Sequence, residues 1–156
     1  NIMRQKKAFQ MSTKTGKKIK LKFPRKIKAL SVENDFPEVK PIQNIMPDSK
    51  EEYWVALALY KLKLDFIFQR SVLGGRSVRG GHVVDFWVYT TPKPTIIMVE
   101  GDYWHYIAPR TYETILAIAE LEAYYSGEIN GVVEILTSEI PTPDIALQVV
   151  RRKLKV

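Results

Sequence analysis

The 156-residue chain contains no cysteine, and only two histidines, His82 and His105. The first absence excludes disulfide frameworks, zinc-thiolate sites and thiol nucleophiles together. The second leaves a soft-metal site short of ligands. No apolar run approaches the roughly 20 residues of a membrane-spanning helix, and the basic start lacks the apolar core of a secretory signal. These features predict a soluble, cytoplasmic protein with no membrane partner. Beginning on Asn1 rather than Met, the chain reads as processed or as a piece of something longer. Its length suits one domain with a sizeable core plus an arm.

Acidic residues are missing altogether from positions 1–28, which carry eleven Lys and Arg, while the remainder holds thirteen basic against seventeen acidic residues. The net charge of +7 therefore lives in the arm. Such a segment is either a solvated tail or a contact for a polyanion, of which nucleic acid is the commonest. Lys17, Lys18 and Lys20 are its candidate contacts, and Ile19, Leu21 and Phe23 alternate with lysines as an edge strand or an extended tail would. Pro24, Pro37, Pro41 and Pro47 then punctuate an irregular connector. The division expected is arm and connector over 1–47 and a folded domain over 48–156, without internal repeats.

At "PDSKEEYWVALALYKLKLDF" the apolar period becomes helical, with Asp48 or Ser49 as cap and acids in the first turn. Val55, Leu59 and Leu62 form one line, and three residues back from Val55 is Glu52, on the buried side; Glu51 falls about 100° away, toward water. Three strand candidates follow: Phe66 to Val72, Val83 to Tyr89, and Thr95 to Gly101. The glycine-rich Gly74 to Gly81 and the proline-rich Thr90 to Thr95 join them as hairpin loops. A helix from about Thr111 to Ser126, a strand near Val132 to Thr137, and a helix opened by Thr142 to Asp144 complete the order α-β-β-β-α-β-α. A strand reached through a crossover helix tends to lie parallel to its predecessor, so the fold class expected is α/β, a mixed sheet flanked by helices.

In "VVDFWVY", strict alternation puts Val84, Phe86 and Val88 on one face and Val83, Asp85, Trp87 and Tyr89 on the other. The third strand ends in "VEGDYWH", where Glu100 and Asp102 share a face roughly 7 Å apart. Pairing of the two strands brings Asp85, Glu100 and Asp102 to one sheet edge, with Glu52 as a fourth acid if the first helix crosses that face. Singly, such an acid is solvated or paired with an arginine such as Arg70, Arg76 or Arg79. Clustered, the acids raise one another's pKa unless a cation binds among them. Mg²⁺ or Mn²⁺ suits oxygen ligands and keeps several waters. Phosphoester hydrolysis needs barrier lowering on the order of 20 kcal/mol, whereas one general base supplies only about 3 to 5. A metal supplies much of the difference.

Glu52, then "DFIFQR" with Gln69, then "GGHVVDFWV" with Asp85, then "VEGDYWH" together resemble the PD-(D/E)XK nuclease superfamily. Within it they are most similar to the very-short-patch-repair-like endonucleases and their homing-endonuclease relatives. The resemblance covers residues 49–156 and rests on the order and spacing of the motifs. It implies a restriction-endonuclease-like fold and metal-dependent cleavage of DNA, with Asp85 and Glu100 as metal ligands, Glu52 as an outer acid and Gln69 beside the site. The superfamily's usual lysine is Asp102 here, which cannot donate positive charge and is expected to ligate metal. His105 then either moves protons or is an exposed loop histidine. Arg76 and Arg79 read as phosphate contacts or as a solvated loop. The activity expected is DNA endonuclease, acting alone, as a homodimer or in a larger complex. The alternatives are a catalytically silent DNA-binding or assembly subunit of the same fold, and cleavage of RNA or branched DNA by the same acids.

Overall fold

Ser49 starts the first helix. Its extended backbone (φ −143°, ψ 158°) lets Oγ accept the Glu52 N–H at 3.2 Å, and helix α1 runs over Lys50–Lys61. The helix closes with Lys63 in the left-handed region (φ 56°), where Lys63 N donates to Tyr60 O and Leu64 N to Leu59 O, both at 3.0 Å. This computed structural model describes residues 36–101 and 108–156.

Strands β1 (Phe66–Val72), β2 (His82–Val88) and β3 (Thr95–Glu100) follow. Then come helix α2 (Ala108–Tyr124), strand β4 (Gly131–Leu136) and helix α3 (Pro143–Leu154), capped by Thr142. Among the described residues the protein is thus a mixed α/β structure with three helices and one open four-stranded sheet, ordered β1-β2-β3-β4. The first two pairings are antiparallel; β3 and β4, joined through α2, run parallel. None of these helices is long and apolar enough to cross a membrane.

Helices α1 and α3 cover one face. Trp54, Val55 and Leu59 pack with Phe66, Phe68, Phe86, Val88 and Ile97 of the sheet and with Ala146, Val149 and Val150 of α3. Lys153 secures this layer by donating to Glu134 O at 2.6 Å and to Glu139 Oε2 at 2.7 Å. On the other face Leu121 of α2 and Ile129 meet Val72, Val84, Trp87 and Ile96. Glu51 is less exposed than its place on the helix predicts, with 18 % of its side chain accessible and Lys50 4.0 Å away.

Val84 therefore lies in the layer of Trp87, not in that of Phe86 and Val88, where strict alternation puts it. The physical reason is an irregularity shared by two strands. Phe68↔Phe86 and Arg70↔Val84 are paired, so Gln69 and Asp85 face one another between them, and Gln69 has φ 49°. Each strand changes face across this one residue, as a strand does wherever its pleat is interrupted.

The outer edge of β1 is covered by a side chain. Ile42 and Ile45 exchange backbone hydrogen bonds of 2.8 and 2.9 Å around Gln43 (φ 49°) and Asn44 (φ 66°), a two-residue turn with both central residues left-handed. This presents Gln43 to the strand: Nε2 donates to Phe66 O at 2.7 Å, and Oε1 accepts from Phe68 N at 2.8 Å. The amide thus acts as one link of a further strand on an otherwise open edge. Replacing Gln43 by Ala is expected to lower stability by about 1 to 3 kcal/mol, two hydrogen bonds at about 0.5 to 1.5 each. Urea unfolding checks this, and an unchanged midpoint would deny the amide its role.

Candidate functional site

The sheet forks at Asp85. Pairing of β2 with β3 covers only Phe86↔Ile97, Trp87↔Ile96 and Val88↔Thr95, although β2 stays with β1 as far as His82 and β3 stays with β4 as far as Glu100. Beyond Phe86 and Ile97 the backbone N–H of Val99 needs another acceptor. It finds the carboxylate of Asp85, donating to Oδ2 at 2.6 Å. A side chain thereby replaces a ladder carbonyl, and one of its two oxygens is committed to holding the fork.

Asp85 is half-buried, and the fork leaves its charge poorly solvated. Burial is the largest influence on its acidity; the Val99 hydrogen bond opposes it, and the negative charges of Glu52, Glu100 and Asp48 add to it. The pKa is pushed from 3.8 up to about 7. Glu52 is itself 7 % exposed, on the buried side of α1 as its spacing from Val55 predicts. Its Oε2 accepts the Asp48 N–H at 3.1 Å. Burial raises its pKa too, the Asp48 hydrogen bond lowers it, and the charges of Asp48 and Glu51 raise it further. Two acids whose environments disfavour ionisation thus share one field.

Glu100, half-buried at the end of β3, adds its field to Asp85. Asp48 also contributes, and reading it only as a possible cap missed this. The signal was available: Asp48 precedes the helix whose first turn holds Glu52, so its charge enters the same region. Gln69 faces Asp85 across the two strands, while Arg76 and Arg79 are exposed on the loop that joins them. Asp102, His105, Lys17, Lys18 and Lys20 lie outside the described residues.

Among the described residues no arginine forms an ion pair with Asp85. Arg70 instead lies over the ring of Trp87, 4.0 Å from its centroid. His82 has a structural partner, its Nε2 standing 3.0 Å from Glu120 Oε2 of α2.

Among the described residues no three acidic or imidazole side chains form a metal-holding group on their own. Asp85 is an oxygen donor, poorly solvated and in the field of three other acids, a kind of group at which a hard cation could take the place of a proton. The fold defines the protein's class as mixed α/β on an open four-stranded sheet. No protein-family model matches the chain, and neither the curated proteins nor the solved structures include a match.

Proposed function

We propose that the protein is a metal-dependent DNA endonuclease of the PD-(D/E)XK type, hydrolysing phosphodiester bonds at the fork between β2 and β3. The observation that carries this reading is Asp85, an acid at an interrupted pleat, bonded to Val99 N and surrounded by the charges of Glu52, Glu100 and Asp48. The Val99 hydrogen bond engages one carboxylate oxygen, and a cation at the other would offset the burial and the neighbouring negative charges that disfavour ionisation. The order Glu52, Gln69, Asp85, Glu100 in the resemblance supports the same reading, as does the α-β-β-β-α-β-α succession of elements.

Asp85 and Glu100 would hold Mg²⁺ or Mn²⁺, with Asp102 as a third ligand. Bound there, the metal supplies charge stabilisation at the phosphoryl oxygens and a more acidic water. Glu52 contributes negative potential from the helix side and keeps Asp85 receptive to a cation. The Val99 N–H orients Asp85 by occupying Oδ2. His105 is the proposed proton carrier, Gln69 lies beside the reacting strand, and the arm lysines 17, 18 and 20 supply salt-sensitive attraction to DNA.

Purified protein incubated with supercoiled plasmid is expected to nick or linearise it with Mg²⁺ or Mn²⁺ and to leave it intact with chelator. Parallel incubations with mismatched duplex, branched DNA and RNA define the substrate. Intact plasmid under every cation, together with salt-dependent DNA binding, would replace this reading with a silent DNA-binding subunit.

A further inference from the structure

The side of the fork away from β3 carries a feature that metal chemistry does not use. Gln69 holds its left-handed backbone (φ 49°) inside a strand, a conformation that non-glycine residues rarely adopt there. It lines an open cleft of about 360 Å³ together with Ser71, Gly75, Arg76, Ser77 and Val83. The far wall is the loop after β1, where Leu73, Gly74 and Gly75 have φ of 54°, 92° and 69°. Gly81 closes that loop: a Cβ there would stand 2.0 Å from the Gly75 carbonyl oxygen, so only glycine lets the two ends touch.

The lining selects its ligand. Among the described residues it offers a carboxamide, two hydroxyls and one guanidinium, with no acid and with Val83 as its one apolar side chain. There is no apolar floor for a base or a lipid. The cleft is open to solvent, and Arg79, exposed on the same loop, is a further cation three residues from Arg76. An anion with several acceptor oxygens satisfies this set, and arginine is the residue best suited to it.

We propose that this cleft seats one backbone phosphate of the nucleic-acid strand cut at Asp85, with Arg76 as the charged partner and Gln69, Ser71 and Ser77 as neutral ones. The proposal rests on the nuclease reading for the identity of that strand, since cleft and acid adjoin through Gln69. Gln69 is then a positioning residue, and its strained backbone sets the spacing between the held phosphate and the reacting one.

Binding of a labelled duplex, followed by fluorescence anisotropy across a salt series with calcium replacing magnesium, tests it. Arg76→Ala, on an exposed loop, is expected to weaken binding about tenfold or more and to reduce the salt slope by about one. Arg76→Lys should recover part of the affinity and the whole slope. A methylphosphonate moved along the strand should reproduce the loss at one position in the wild type and add nothing further in Arg76→Ala. Unchanged affinity and slope in Arg76→Ala overturn the proposal. If the wild type cuts no substrate yet Arg76→Ala loses binding in this pattern, the cleavage reading falls and the cleft stands. If the wild type cuts while Arg76→Ala binds normally, the reverse holds.

Discussion

Asparagine at position 85 is expected to lower magnesium-dependent cleavage by about 10³-fold or more, several kcal/mol at 1.36 per tenfold, while making the protein more stable at alkaline pH. The two effects have one origin. In the folded protein burial, then the charges of Glu52, Glu100 and Asp48, hold the Asp85 pKa at about 7 against the pull of the Val99 hydrogen bond, whereas the ordinary value is 3.8. Below the ordinary value both states are protonated and nothing is lost. As pH rises toward 7 the unfolded chain gives up a proton that the folded protein still holds, so stability falls across that window and levels off above it. At 1.36 kcal/mol per pKa unit, the full loss at pH 8 is about 4 kcal/mol. Asparagine keeps an oxygen for the Val99 N–H but carries no charge. Urea unfolding in chelator should therefore show Asp85→Asn more stable than wild type at pH 8, with the gap closing toward pH 4. Saturating Mg²⁺, at about 100 times its dissociation constant, should restore about 2.7 kcal/mol to the wild type and nothing to the variant. A variant less stable than wild type at pH 8 would mean that Asp85 is there to hold the fold.

The elements themselves were legible because each carries its own local physics. Ser49 and Thr142 are N-caps, the apolar period changes at Lys50, and β1 spans the seven residues that its composition marks. The burial of Glu52 followed from counting three residues back along a helix. What strict alternation missed was the pair Gln69 and Asp85, because alternation assumes an unbroken ladder and here a side chain supplies one of its acceptors. Nothing in the letters "FQRS" announces a left-handed glutamine, since that conformation is sustained by the facing strand. Gln43 escaped notice for a similar reason: its turn has no glycine, and its purpose is visible only once β1 lies beside it. That the charges of Glu52 and Glu100 act on Asp85, by contrast, follows from topology, as it depends on which strands pair and which helix covers them.

Phe86 joins the fold to the site, and Phe86→Ala is expected to cost about 3 to 5 kcal/mol. The ring is fully buried, 5.5 Å from that of Phe66 and 5.1 Å from that of Phe68, and the residue forms the last β2–β3 pair before the fork, with Ile97. Against a typical stability of about 5 to 15 kcal/mol the loss is large. Its second consequence is specific to this position. Phe86 follows Asp85 in the chain, and water entering the emptied volume would solvate the carboxyl and draw its pKa down from about 7. The variant should thus be less stable than wild type at pH 5, while its stability declines less between pH 5 and pH 8. Phe86→Leu, which fills most of the space, should lose less than Phe86→Ala and keep the wild-type pH dependence. Unfolding series on all three proteins separate the contributions: an unchanged pH profile in Phe86→Ala would show that the strands, not this ring, keep water from Asp85.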